Sequence, residues 1–246
     1  MALVAGLYSI ILPIMLLIIW KFKSRYDVKP FVIGAICFFV SALVIESFVH
    51  SLVLGIDSPV SRAINNSVFL YVLYGCLAAG IFEETGRLIG FKYLLKHDNK
   101  KEASIMYGIG HGGIEAIMLV GVTFVLYWAI MKGFIKVDAT TEMQLKPILS
   151  SLTTFQCLMS MIERTYAVFF HIALSIIVFI SVHENKKSLF FLAILLHALL
   201  NIPAALYQRN ILGLLTVEMM GIILTILVVI LAINLYKSYK NDEEQL

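Results

Sequence analysis

Long uninterrupted apolar runs constrain this chain more than any other feature of its sequence. A run of about 20 apolar residues spans the roughly 30 Å hydrocarbon core of a bilayer, because a helix rises 1.5 Å per residue. Seven such runs are present, at 3–20, 31–54, 68–92, 103–131, 161–182, 189–207 and 211–236. Only 14% of the 246 residues are charged, against about 25% in soluble domains. The sequence therefore predicts an all-α, polytopic transmembrane helix bundle, a single domain over 1–246 with its site region at 68–207.

The loops between the predicted spans indicate an orientation and one further element. Cytoplasmic loops carry an excess of Lys and Arg. One side of the predicted bundle has eleven of these residues, namely Lys21, Lys23, Arg25, Lys29, Lys96, Lys100, Lys101, Lys186, Lys187, Lys237 and Lys240. The other side has five, namely Arg62, Lys132, Lys136, Lys146 and Arg209. We therefore expect the N-terminus outside and the C-terminus inside, with a short surface or re-entrant helix in the mixed-polarity segment 132–160.

Five ionisable side chains lie inside the predicted spans at nearly one depth. A charge at the centre of a span costs about 2.5–3.5 kcal/mol on insertion scales, so residues of this kind usually serve a function. Counted from the basic end of each helix at 1.5 Å per residue, the five lie roughly 12–16 Å deep. They are Glu83, Glu84, His111, His171 and His197. We expect them to converge on one cavity in the cytoplasmic half, whereas Glu46 and Glu218 lie in the outer half and are interpreted as structural.

The first motif in this layer is FEETGR, residues 82–87. Arg87 follows the two glutamates by three and four residues, so its side chain can reach either carboxylate. Adjacent side chains on a helix point about 100° apart. One glutamate can therefore face a site as a general base while the other pairs with Arg87, and the spacing leaves open whether Glu83 or Glu84 is the base.

Two further motifs place histidines on neighbouring helices. In GIGHGGIEA, residues 108–116, glycines flank His111 and allow either close helix approach or a locally opened backbone. Glu115 lies one turn after His111, where it can orient the imidazole or share a ligand shell. In ERTYAVFFHIALS, residues 163–175, Arg164 and His171 share a helix face, while Glu163 and Arg164 are interpreted as anchors at the outer interface.

The fourth motif, HALLN at 197–201, puts His197 and Asn201 on one helix face. An Asn amide is a donor that can stabilise an oxyanion, although Pro203 also makes a simple kink possible here. Carboxylates with two or three histidines can bind a divalent metal such as Zn²⁺ and leave a position for water. They can equally activate water without a metal, when a Glu accepts the proton and a His assists. Both alternatives predict hydrolysis of an amide in a buried, water-accessible cavity.

Together these motifs resemble those of the glutamate-type intramembrane proteases of the CAAX-protease and bacteriocin-processing superfamily. GIGHGGIEA and the histidine after Glu163-Arg164 are most similar to its bacterial YhfC-type branch, and the resemblance covers about 83–201. It implies that Glu83 or Glu84 is the base, that His111 and His197 bind the water or metal, and that Asn201 holds the oxyanion. This chain has EExxR where EExxxR is common, and Tyr107 in the aromatic position of FxxxH.

The resulting hypothesis is a multi-pass intramembrane endopeptidase of a bacterial cell membrane that cleaves a membrane-associated peptide or protein. Its predicted catalytic residues are Glu83, Glu84, His111, His197 and Asn201, its predicted metal ligands His111, His171 and His197, and its supporting residues Arg87 and Glu115. The bilayer is the expected environment, and no clustered basic face indicates a nucleic-acid partner. Two alternatives stay open: a non-enzymatic immunity or partner-binding membrane protein, and a proton- or metal-coupled transporter.

Overall fold

The computed structural model describes residues 1–240, apart from the side chain of Ser150, as a bundle of helices. Seven helices are long and apolar enough to cross a membrane: α1 Ala2–Ser24, α2 Lys29–Gly55, α4 Val68–Leu94, α5 Glu102–Met131, α7 Thr154–His183, α8 Lys187–Gln208 and α9 Leu214–Ser238. Two short helices, α3 Pro59–Asn66 and α6 Ala139–Ser151, lie in the connections. The described residues contain no strand. The predicted all-α, polytopic bundle with seven spans is confirmed.

Polar side chains cap the beginnings of α3, α4, α6 and α7. α7 begins at Thr154, earlier than the predicted 161, because Thr153 and Gln156 form a capping box in which each side chain accepts from the other's backbone N–H. In the segment before it, the Asp138 carboxylate accepts from the first backbone N–H groups of α6. The short helix expected in 132–160 is therefore present. The equally short α3, which begins at Pro59, was not anticipated from the sequence.

Hydrogen bonds between connections define the two ends of the bundle. At the end where α1 begins, called the first end, Arg209 Nη2 donates to the Asn65 carbonyl oxygen at 2.6 Å. At the opposite, second end, Trp20 Nε1 donates to the Glu102 carbonyl oxygen at 3.3 Å. Successive spanning helices therefore run antiparallel. The second end carries the basic loops, so it is the end that the sequence predicts to be cytoplasmic.

Helix α7 is the centre of the bundle. Of its most apolar 18-residue window, 72% is buried, whereas no other spanning helix exceeds 33%. It packs against α5, α9, α8 and α1, while α4 packs against α8 and α2 against α5. A polar side chain that α7 carries at mid-length is therefore enclosed by neighbouring helices rather than by lipid.

Glycines let α5 approach its neighbours at backbone distance. A Cβ added at Gly108 would lie 2.5 Å from the Ile172 Cα of α7, and one added at Gly112 would lie 3.0 Å from the His171 Cβ. Gly110 faces the backbone of α2 in the same way, at Phe31. The close approach allowed by GIGHGGIEA is confirmed, and the regular α-helix from Glu102 to Ala116 shows that the backbone is not opened there.

We predict that Gly108→Ala destabilises the protein by about 1–3 kcal/mol, because the added methyl group meets backbone that cannot move aside. Gly75→Ala on α4 is the matched control, since a Cβ there meets nothing within 4 Å. It should be neutral or stabilising by up to about 1 kcal/mol, because alanine has the higher helix propensity. Denaturant unfolding in detergent measures both, and equal stabilities of the two variants would contradict the packing argument.

Candidate active site: a buried glutamate among three histidines

Helix α4 supplies two adjacent glutamates with different partners. Arg87 Nη1 donates to Glu84 Oε1, the i,i+3 partner, and both side chains are completely buried. Glu83 points away from Arg87 and is also buried. Because successive side chains point about 100° apart, a single arginine serves only one of the two carboxylates. The arrangement leaves Glu83 free to face the histidines.

His111 of α5 contacts Glu83 directly. Its Nε2 lies 3.0 Å from Glu83 Oε2, and Nδ1 has no hydrogen-bond partner among the described residues. An ionised carboxylate only accepts, so the tautomer that fits these contacts carries its proton on Nε2 and donates it to Glu83. The ring of Phe38 packs edge-on against the imidazole, with centroids 5.1 Å apart, and helps to exclude lipid and water.

His171 of α7 is held at both ring nitrogens. Nδ1 accepts from Arg87 Nη2 at 3.0 Å, and Nε2 lies 2.5 Å from Glu115 Oε2, with which it can form an ion pair. The expectation that Glu115 orients His111 is therefore corrected: Glu115 holds His171 instead. The reason is the close α5–α7 packing, which brings the imidazole of α7 onto the Glu115 carboxylate, while His111 turns towards α4.

His197 of α8 completes the group. Its Nδ1 lies 2.7 Å from Glu84 Oε1 and donates to it, so the bare Nε2 faces Glu83 Oε1 at 3.7 Å. A carboxylate on the far nitrogen fixes both the tautomer and the orientation of an imidazole. Glu84 gives His197 this support, just as Glu115 gives it to His171.

The five side chains that were expected to share one layer do meet. Each histidine has a ring nitrogen within 4.0 Å of a Glu83 oxygen. The His171 ring centroid lies 5.0 Å from that of His111 and 5.4 Å from that of His197. At 1.5 Å per residue, the observed helix bounds place the group about 14–18 Å from the second end, on that side of the midpoint of each helix, as expected.

Arg164 is linked to the cluster through Glu115, the partner of His171, and the sequence did not predict this link. The side chain is buried, with Nη1 2.7 Å from Glu115 Oε1 and Nη2 2.8 Å from Glu163 Oε1. The interpretation of Arg164 as an interfacial anchor was therefore wrong. The signal that could have revealed its role is the seven-residue spacing to His171, which puts both on one face of α7.

Asn201 does not join this cluster. Its Nδ2 donates to the His197 carbonyl oxygen of its own helix at 3.4 Å, and its side chain lines a separate cavity nearer the first end. An oxyanion role would therefore require the substrate to extend into that cavity.

The cluster has the donors and the charge that a divalent cation needs. Glu83, His111 and His171 each offer a ligand atom, and these atoms lie within 4.8 Å of one another. The buried carboxylates of Glu83 and Glu84 and the partly buried Glu115 lie with two buried guanidinium groups, Arg87 and Arg164, so ionised carboxylates leave one negative charge in excess. Nitrogen and oxygen donors of this kind match the preferences of Zn²⁺.

The comparisons with known proteins agree with this chemistry. The family described as YhfC intramembrane metalloprotease matches residues 8–228. The chain belongs to this family. It is 37% identical over 218 residues to a Bacillus subtilis (strain 168) protein described as an uncharacterized membrane protein YhfC, covering 84% of each chain. No solved structure matches the chain. The resemblance to the YhfC-type branch is confirmed and extends beyond the motifs that first indicated it.

We predict that Arg87→Ala lowers the free energy of unfolding by about 3–5 kcal/mol, because it leaves the Glu84 carboxylate buried without its partner. Arg62→Ala is the control. Arg62 pairs with Asp57 at 2.6 Å, but both side chains are exposed, and such pairs contribute about 0–1 kcal/mol. Denaturant unfolding in detergent measures the free energy of unfolding of both variants. Similar losses of stability in the two variants would contradict a larger contribution from the buried pair.

Proposed function

We propose that this family member is an intramembrane endopeptidase that hydrolyses a peptide bond of a membrane-associated peptide or protein. One observation carries the proposal: the Glu83 carboxylate lies between three imidazoles, each with a nitrogen within 4.0 Å, in the middle of the bundle. Family membership supports the reaction class. Charged groups at this depth are costly, so a cluster of this size has a functional rather than an architectural explanation.

Glu83 is the better candidate for the general base. Both neighbours of Glu84 Oε1, Arg87 and His197, hold that carboxylate in a positioning role. The Glu83 carboxylate, in contrast, lies against the imidazoles of His111, His171 and His197, which are the proposed metal ligands. In the proposed reaction Glu83 accepts a proton from water, and the water oxygen bonds to the peptide carbonyl carbon. The proton then passes to the amide nitrogen as the C–N bond breaks, and a carboxylic acid and an amine leave.

His111, His171 and His197 are the proposed ligands of a divalent metal such as Zn²⁺. When bound, such a metal supplies Lewis acidity, which polarises the scissile carbonyl and makes water a stronger acid. Glu115 and Glu84 already hold the far nitrogens of His171 and His197, so their near nitrogens are directed towards Glu83. The Nδ1 atom of His171 becomes available as a ligand once Arg87 releases it.

Asn201 is proposed to contact the substrate. Its present hydrogen bond to the His197 carbonyl is long, 3.4 Å, and therefore weak enough to be exchanged. A peptide carbonyl that enters from the adjoining cavity would meet the Asn201 amide one helical turn before the histidine. There the amide can donate to the oxygen that becomes negative during attack.

Glu83→Gln should reduce cleavage of membrane-associated peptides about 10²–10⁴-fold, because glutamine cannot accept the proton. The assay uses purified protein in proteoliposomes with a peptide library and mass-spectrometric detection of products. Glu218→Gln is the control, because the Glu218 carboxylate of α9 interacts with Tyr166, Glu163 and Arg164 rather than with Glu83 or a histidine of the cluster, and this variant should cleave at the wild-type rate. Unchanged cleavage by Glu83→Gln would rule this base out. Cation-dependent flux without any cleavage would favour a transporter instead.

Metal retention tests the ligand proposal separately. Purified protein loaded with Zn²⁺ and dialysed should retain the metal, and His111→Ala should lose it. Glu115→Gln should weaken retention about 10–100-fold through the orientation of His171. His183→Ala is the control, since that ring bonds to the Phe179 carbonyl at the second end of α7. Full cleavage activity in metal-free, chelator-treated protein would leave glutamate-activated water as the mechanism without a metal.

A further inference from the structure

A cavity of about 340 Å³, lined by apolar and polar side chains, lies between α2, α4 and α8, towards the first end. Small residues of α4 and α8 form much of its wall, and a Cβ added at Gly75 would meet nothing within 4 Å. Its polar lining consists of His50, Tyr71, Tyr74, Asn201 and Gln208. Five hydrogen-bonding side chains around one space inside a membrane-spanning bundle are typical of a water-filled cavity rather than of a lipid contact.

This cavity lies one helical turn from the Glu/His cluster on α4 and α8, and one turn from the buried Glu46 on α2. A four-residue step along a helix is about 6 Å. In each case the cavity residue is the one nearer the first end, and the partner four residues away is deeper. The three pairs are His50 and Glu46 on α2, Ala79 and Glu83 on α4, and Asn201 and His197 on α8. The floor of the cavity therefore faces Glu83 and His197.

A chain of polar contacts continues from the cavity wall towards the cluster. Tyr74 Oη lies 2.9 Å from His50 Nδ1, and His50 Nε2 lies 3.2 Å from Glu46 Oε1. Glu46 is buried and interacts electrostatically with His197 and Glu83. The reaction proposed above does not use this carboxylate, and a buried charge in a span is costly unless it borders water or a partner.

The opposite approach to the cluster is closed by aromatic side chains. On the side of the second end, the ring of Phe91 packs against Tyr107 with centroids 4.4 Å apart and against Phe179 at 5.5 Å. All three side chains are at most 1% exposed. Each lies on a helix that also carries a cluster residue, one or two turns closer to the second end. Close-packed apolar rings of this kind leave no room for water.

We propose that the cavity between α2, α4 and α8 is the aqueous entrance through which water reaches Glu83 from the first end of the bundle. The need for such an entrance rests on the proposed hydrolytic function, because hydrolysis consumes water that lipid cannot deliver. Since the sequence predicts the second end to be cytoplasmic, the entrance opens on the non-cytoplasmic face.

Cysteine accessibility tests the entrance without reference to catalysis. A thiol reacts with a charged, membrane-impermeant methanethiosulfonate reagent only where water allows the thiolate to form. Ala204→Cys places the thiol in the cavity wall and Ala79→Cys in its floor. Ile226→Cys is the matched control, because Ile226 is 53% exposed at the midpoint of α9, where its surroundings are lipid. Cys76 lines the same cavity, so the variants are made in a Cys76→Ala background, and mass-spectrometric mapping separates their sites from the buried Cys37 and Cys157.

Two loop variants identify the face from which the reagent acts. Ile211→Cys marks the first end and His97→Cys marks the second end, both in exposed connections. In intact cells, Ala204→Cys and Ala79→Cys should react whenever Ile211→Cys reacts, and Ile226→Cys should not. Failure of both cavity positions, or reaction of either only together with His97→Cys, overturns the proposal.

Blocking the cavity gives a second measurement. Gly75→Leu should slow the labelling of Ala79→Cys roughly tenfold or more, because the new side chain fills the space that supplies water to the thiol. Replacing a helical glycine removes a cost of about 0.5–1 kcal/mol, so the variant should fold. Gly213→Leu makes the same change at an exposed site with no neighbour within 4 Å. Unchanged labelling in Gly75→Leu contradicts the entrance, whereas labelling without any peptide cleavage contradicts only the proposed hydrolysis.

Discussion

The buried pair of Glu84 and Arg87 is the interaction on which the rest of the structure depends. Both side chains are fully enclosed, and each also reaches a histidine of another helix: Glu84 bonds to His197 and Arg87 to His171. Removing either partner from such a pair leaves a charge that costs several kcal/mol. α4 is therefore held in register with α7 and α8 by electrostatics, because slippage by one turn would leave these charges without partners.

Packing supplies the enclosure that makes these charges tolerable. The glycines of α5 allow its backbone to touch α7 at Gly108 and Gly112, and this contact brings His171 onto Glu115. The same enclosure is uneven along the bundle. Aromatic rings at Phe91 and its neighbours close the side of the second end, whereas small residues leave a cavity with several polar side chains on the other side. The centre is thus shielded from lipid, with a cavity one helical turn away on the side of the first end.

Much of this arrangement is present in the sequence because a bilayer imposes simple rules. Seven apolar runs are enough to predict the seven helices, since a segment in hydrocarbon must satisfy its own backbone hydrogen bonds. The common depth of Glu83, His111, His171 and His197 predicts that they meet, because helix rise is constant and the spans are nearly antiparallel. The same reasoning does not predict short helices such as α3, because the apolar periodicity of eight residues is too short to distinguish a helix from a loop.

The sequence by itself did not determine which polar side chains pair with each other. Spacing allowed Arg87 to reach Glu83 or Glu84 and allowed Glu115 to serve His111, and only tertiary packing decided for Glu84 and His171. Tertiary packing also places Arg164, which the sequence suggested as an interfacial anchor, in a buried ion pair with Glu115. It places the Asn201 side chain against a separate cavity. Periodicity states the depth and the face of a side chain, whereas its partner depends on the rotation and separation of neighbouring helices. Those are set by contacts between residues far apart in the chain, such as Gly108 with Ile172.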